Sequence, residues 1–274
     1  MTTTVYELYR GAPVVWVEDD LTREVLTILW GYCRLHVAVA GSKAGVGALV
    51  RGAPPSLLGS VFGIVDLDFA RPNRSDWGST RELRFDVHEA ENLLLDADCL
   101  AAIAQRNGAE VRSSDIDAFL CARAATMVSW MACRATLREI AEGLRFPTDP
   151  ALTEVPDRAA AVRFVRSAPA WSDSPGVWAR WNATGALEGA LAEWEKDYRD
   201  ATANGTWRGS FSGKELFRAI RGENRFCLDA TPKRLKPSAA ERDLDLARNV
   251  AREMVAQDRV PESVTAMRDA LLSR

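Results

Sequence analysis

"SVFGIVDLDFA", residues 60–70, decides the fold. Val61, Phe62, Gly63, Ile64 and Val65 run without polar alternation into two aspartates one residue apart, Asp66 and Asp68. A strand that is apolar on both faces belongs inside a sheet covered on both sides, as parallel sheets are. Ligands of open parallel sheets sit outside the carboxyl ends of the strands. Side chains two apart on an extended chain point the same way, so the spacing predicts that Asp66 and Asp68 share one pocket. Like charges that close repel, and one is expected to protonate unless a cation intervenes. Hard oxygen ligands at a rigid strand end suit Mg²⁺. Two such ions side by side stabilise the attacking and leaving oxygens of an in-line displacement at phosphorus. Aspartates are also common in a solvated turn after a strand, and the spacing alone leaves both readings open.

The flanking segments extend the pattern. "APVVWVEDD" reads as a short buried strand, Val14–Val17, ending at Glu18. "TREVLTILWGYCR" carries Val25, Ile28, Leu29 and Tyr32 on one helical face. "LHVAVA" is a second strand, with His36 as a packing residue. "GSKAGVGALVRG" is a glycine-rich turn running into a short helix with Ser42 as N-cap. It lacks the order GxxxxGK[ST], which argues against a P-loop. "ELRFDV" supplies a fourth strand and "HEAENLLLD" opens a helix. Strand and helix alternate, so the fold class is α/β, a parallel sheet flanked by helices. From Ala97 the pattern turns helical. "SSDIDAFLCARAATMVSWMACRATLREIAEGL" is the longest example, with Ser114 as its N-cap. In "SGKELF", Ser212 and Glu215 have capping-box spacing. Two amphipathic helices, about 239–257 and 262–273, finish the chain. The expected organisation is a sheet domain from 1–96 and 205–236, a helical insertion at 97–204, and a helical tail at 237–274.

The totals narrow the function classes. The chain has 274 residues, 47% hydrophobic and 27% charged, ordinary for a globular protein with a real core. No apolar run reaches the roughly 18–20 residues that span a bilayer, and "MTTTVYELYRG" lacks the features of a signal peptide. Five scattered cysteines without a CxxC argue against zinc and against a disulfide framework. A cytoplasmic location is expected. The net charge of −3 gives no overall pull toward nucleic acid, so any such contact needs a local patch or a bound metal. Arg71, Arg74, Arg81 and Arg84 cluster after the aspartate pair. They supply the local basic density that a phosphodiester enzyme needs, or they decorate a solvated loop. Lys214 falls in the first turn of the "SGKELF" helix, where the dipole disfavours a cation and a phosphate is welcome. Lys43 either touches phosphate or is a plain turn residue. His88, beside the acidic block, orients a water, acts as a base, or partners a carboxylate. Trp171, Trp178 and Trp181 fill a core or an interface, or stack bases.

"VVWVEDD", "GIVDLDF" and "HEAENLLLD", taken in order, resemble the Toprim family, which has a Glu after its first strand, a DxD after its third and a further acid after its fourth. The "ENLLLD" block and "SGKELF" resemble the Toprim proteins of the DUF4435 group, related to OLD-type nucleases. That group includes the nuclease subunit of the PARIS anti-phage system, which works beside an ABC-type ATPase. The resemblance covers about residues 12–96 and 205–222. It implies a Mg²⁺-dependent nuclease, with Mn²⁺ as an alternative ion. It implies a defence effector active as a homodimer, controlled by a partner ATPase and cleaving RNA such as tRNA, or DNA. Residue by residue, Glu18 matches the general acid/base or metal ligand, and Asp66 and Asp68 match the DxD ligands. Glu91 matches the further acid, with its neighbour Glu89 a weaker match, and Lys214 matches the lysine of the GK element. Lys43, Arg71, Arg74 and Arg84 are the nucleic-acid-binding candidates. Many relatives read VEGxxD. Here Asp19 stands at the glycine and Thr22 at the second acid, so one- and two-metal mechanisms both stay open. So does a catalytically idle scaffold that binds an ATPase.

Overall fold

β1 (Val14–Val17), β2 (His36–Val39), β3 (Val61–Val65) and β4 (Glu82–Arg84) form a parallel sheet in the order β2-β1-β3-β4. This is the computed structural model of the chain, and it describes residues 12–69, 80–141, 150–167, 175–182, 185–229 and 237–274. The fold is α/β. All five residues of β3 are buried, as its unbroken apolar run requires. Edge strand β4 buries Leu83 between the less buried Glu82 and Arg84. α1 (Asp20–Trp30) links β1 to β2, and α2 (Lys43–Arg51) links β2 to β3. The chain therefore leaves β1 toward one edge and returns on its other side, so β1 and β3 flank a topological switch point. Gly63 lets α2 lie close on β3: a Cβ there would come within 2.4 Å of Val46 Cγ1. Val46, Val50 and Val65 form the core cluster at that contact, with Trp16 packed against it.

Local chemistry sets the helix starts. Asp19 caps α1, accepting the Thr22 N–H at 2.8 Å. Ser42 caps α2 through Gly45 N–H at 3.1 Å, as expected. The first helix ends sooner than its periodicity suggests. Trp30 is its last residue, Gly31 turns left-handed (φ 60°), and Tyr32 is fully exposed rather than on the buried face. His36 stands at the exposed start of β2 and is not a packing residue. "HEAENLLLD" does not open an α-helix. Ala90–Leu94 is a 3₁₀ segment, and α3 (Ala97–Arg106) starts anew with Asp96 capping it through Cys99 N–H. Asp66 Oδ1 accepts the Ala90 N–H and the buried Asn92 Oδ1 accepts the Glu89 N–H, which pins the start of this short stretch.

The chain divides into two compact units, Met1–Asp117 with Gly213–Arg274, and Ala118–Ser212. The sequence pattern puts the boundaries at 97 and 204 instead. α3 stays with the sheet unit because it packs on α11 (Ala239–Ala256), which also covers α1. The tail helices α11 and α12 (Glu262–Leu272) are thus part of the sheet unit, and Trp30 Nε1 donates to Val264 O. α10 (Gly213–Gly222) buries Leu216, Phe217 and Ile220 and packs on the 3₁₀ segment and α11.

The long helical run breaks at Met127 into α4 (Ser113–Thr126) and α5 (Val128–Ala141). Ser114 lies inside the first turn of α4, where Asp115 caps by accepting the Arg112 N–H. In the second unit α8 (Ala186–Ala203) packs on α5, α6 (Arg158–Arg166) and α7 (Pro175–Asn182), and α9 is Trp207–Ser210. Its buried Glu195 is satisfied by Ser129 Oγ and Arg199. Trp178 and Trp181 are half-buried on α7. Among the described residues no single helix is long and apolar enough to cross a membrane.

Candidate functional site

The carboxyl ends of β1 and β3 carry Glu18 and Asp66 side by side. Glu18 Oε1 accepts the Asp66 N–H at 2.9 Å, which ties the two acids across the switch point. Asp66 Oδ1 in turn accepts the Ala90 N–H at 3.0 Å, at the start of the 3₁₀ segment. That segment brings Glu91, 4% exposed, to the same rim.

Asp68 reaches the same ground from a turn rather than from the strand. β3 ends at Val65, and Asp68 adopts a left-handed conformation (φ 53°), so the two-residue alternation of an extended chain does not carry through to it. Its backbone is clasped to His88: Asp68 N–H donates to His88 O at 2.9 Å and His88 Nδ1 donates to Asp68 O at 2.5 Å. A carbonyl only accepts, so Nδ1 carries the proton. Nε2 then faces Glu89 Oε1 at 3.9 Å. Buried His88 thus positions the loop of Asp68.

Two lysines enter this acidic ground. Lys43, the first residue of α2, places Nζ 2.8 Å from Asp66 O and 2.7 Å from Asp68 Oδ2. Lys43 thus reaches the acids at the strand ends, where the sequence favoured a plain turn residue. Lys214 is the second residue of α10, as the "SGKELF" pattern predicts. Its Nζ lies 3.8 Å from Glu91 Oε1. Glu89, the weaker sequence candidate, holds that helix in place: its Oε2 accepts the Lys214 backbone N–H at 2.8 Å, satisfying one of the open donors at the helix start. Gly213 permits the approach, since a Cβ there would fall 2.5 Å from Asn92 N. Sequence reasoning underrated Glu89. Its signal was that "SGKELF" needs an anion at its N-terminus.

Burial and mutual repulsion dominate the electrostatics. Burial pushes the Asp66 carboxyl up to about 9, helped by Glu91, Glu18, Glu89 and Asp68. Burial lifts Glu91 to about 7 against the pull of Lys214. Glu18 is also raised, chiefly by burial, while the Asp66 N–H and Lys43 oppose the shift. For Lys214 burial favours the neutral amine, but Glu91, Glu89, Asp19 and Asp66 outweigh it and hold the ammonium above its usual value. Several raised groups gathered in one place are more frequent at functional sites than elsewhere.

The donors suit a hard divalent cation: all are carboxylates, and the strained charge balance at Asp66 is one that a cation relieves. Glu18 and Asp66 are the pair that would share it, with Glu91 neighbouring Asp66. Asp68 is engaged by Lys43. Among the described residues no three His, Cys, Asp or Glu side chains stand in a ready metal-holding group. Glu18, Asp66 and Asp68 spend oxygens on Asp66 N–H, Ala90 N–H and Lys43. Arg84 lies exposed at the carboxyl end of β4, paired in register with Val65. Arg71 and Arg74 lie outside the described residues, as does Trp171.

Beyond Glu91 and Lys214 the rim opens into a pocket of about 390 Å³ between the N-terminus of α1, α10 and the start of α11. Arg221 and Arg218 of α10 clasp Asp243 of α11 beside it, at 2.6 and 3.5 Å. No family model, curated protein or solved structure matches this chain.

Proposed function

We propose that this protein is a metal-dependent nuclease, hydrolysing phosphodiester bonds of RNA or DNA at the β1/β3 rim. The supporting observation is the gathering of Glu18, Asp66, Asp68, Glu89 and Glu91 with Lys43 and Lys214 at the carboxyl ends of parallel strands, where one acid is held protonated to about pH 9. A bound Mg²⁺ or Mn²⁺ would supply Lewis-acid activation of a phosphoryl oxygen. The chain's own residues supply the rest. Lys214 and Lys43 offset charge on the phosphate oxygens in the transition state. Glu18, its carboxyl raised by burial and anchored by the Asp66 N–H, exchanges a proton with water or ligates the ion. The resemblance to defence nucleases makes control by an ATPase partner, tRNA as substrate and a homodimeric active form part of the proposal.

Purified protein with Mg²⁺ or Mn²⁺ and separate pools of tRNA and duplex DNA is the test. Cleavage of one pool is expected, abolished by EDTA and lowered at least ~100-fold, the scale of a lost transition-state contact, by Glu18→Ala or Asp66→Asn. Cleavage that survives both substitutions, or no cleavage of either pool, sinks the proposal.

One observation favours a second reading, an idle scaffold that serves an ATPase assembly: Asp68 is ion-paired with Lys43. On that reading the substitutions leave partner binding and cell toxicity unchanged.

A further inference from the structure

The pocket beside Glu91 and Lys214 has a chemistry of its own. Leu21, Phe217 and Leu244 make its walls, and Asp20 and Glu241 stand on its rim. Phe217 is fully buried, while Leu21 and Leu244 are partly buried. The volume of about 390 Å³ falls within the range of small-ligand sites. Five carboxylates line the pocket against two cations, Lys214 and Arg218, and away from those cations the lining repels a phosphate and accepts from N–H groups. A neutral ring with donors on its edge fits; an anion does not. Lys214 is half-exposed at the pocket end nearest the acids, where a phosphate attached to such a ring would lie.

The carboxylates have capacity to spare. Asp20 Oδ1 pairs with Arg23 at 3.1 Å and Glu241 Oε2 takes the Ser238 N–H, and each keeps a second oxygen. Guanine presents two adjacent N–H donors, N1 and N2, on its Watson–Crick edge, and these match a carboxylate. Uracil presents one donor between two carbonyls, which the acids repel.

Building on the nuclease reading, we infer that this pocket is a base subsite: it takes an unstacked guanine of the nucleic-acid substrate, holds its faces between Leu21 and Leu244, reads its edge with Asp20, and so sets the adjoining phosphate at Lys214. Enzymes that act on an extruded nucleotide hold the base in this manner, by apolar contact on the faces and hydrogen bonds on the edge.

The test has a binding arm and a cleavage arm. In EDTA, guanosine and uridine are titrated against the full chain by calorimetry, with wild type, Ala240→Phe and Asp20→Asn. Ala240 lies exposed on the pocket lining, so its replacement fills the slot from the rim. Guanosine is expected to bind at least ~10-fold tighter than uridine, the scale of one two-point edge contact. That margin should vanish in both variants. In the cleavage arm, positions cut in a mixed-sequence RNA should flank guanine, and the preference should relax in Asp20→Asn. If Ala240→Phe melts early, Asp20→Asn alone decides, because it keeps the shape. Guanosine binding with no cleavage of any RNA or DNA would defeat the nuclease reading and keep the guanine pocket. Cleavage without guanosine binding, or with base preference unchanged in the variants, overturns the inference and leaves the nuclease reading standing.

Discussion

Asp66 concentrates the chemistry of the rim in one side chain. In the fold its carboxyl keeps the proton to about pH 9 because burial and four neighbouring acids oppose the charge. In an unfolded chain it ionises near pH ~4. Between those values the folded state binds more protons, so stability falls as pH rises. The cost is absent below about 4 and fully expressed above about 9. Glu91, raised to about 7, adds to the same slope over the lower part of that window. We expect the urea midpoint of metal-free protein to fall between pH 6 and pH 8.5, and Asp66→Asn to flatten that fall. A wild-type midpoint that rises over the interval would refute the assignment. Since an ion and a proton compete for the same oxygens, Mg²⁺ should raise the wild-type midpoint more at pH 8.5 than at pH 6.

At the scale of elements, the site depends on two helices brought unusually near their neighbours. Gly63 admits α2 onto β3, and Gly213 admits the N-terminus of α10 onto Asn92. Gly213→Ala would place a methyl group 2.5 Å from the Asn92 backbone nitrogen and 2.6 Å from its Oδ1, which the Glu89 N–H already holds. We expect a loss of about 1–3 kcal/mol by urea unfolding, the cost of overpacking, with a larger proportional drop in cleavage because Lys214 is the next residue. A methyl group added at Gly189, inside α8, would meet nothing within 4 Å. There the same substitution should stabilise by about 0.5–1 kcal/mol, because Ala is the better helix residue. Equal effects at the two positions would contradict the packing. Neither glycine's role was visible in sequence, where "SGKELF" announced a helix start but not what that start touches.

Across the whole molecule, charge sets the terms for a nucleic-acid partner. With a net charge of −3, attraction must come from a few cations near the rim, Lys43, Lys214 and Arg84 among those described. About two or three neutralised phosphates give a slope of log affinity against log salt near −2 for single strands. Fluorescence anisotropy of a labelled RNA across a salt series measures it. A slope steeper than about −5 would mean a basic surface far larger than this rim. The tail belongs to the same scale. α11 covers α1 and α3, and Asp243 clasps Arg221 and Arg218 of α10, so the helix that carries Lys214 is held from behind by the end of the chain.

The amino-acid sequence by itself determined the α/β class and the strand ends at which Glu18 and Asp66 stand. Both follow from local signals: apolar runs without alternation, helical spacing between them, and acids where those runs stop. It also placed Lys214 in the first turn of its helix, because capping and dipole preferences are local. Only the tertiary structure decided that Asp68 takes a left-handed backbone, that Lys43 bridges it to Asp66, that Glu89 caps α10 from 125 positions away, and that the tail closes on the sheet unit. Those outcomes depend on hydrogen bonds and close contacts between segments remote along the chain, and no short-range pattern encodes which remote partner a polar group will find.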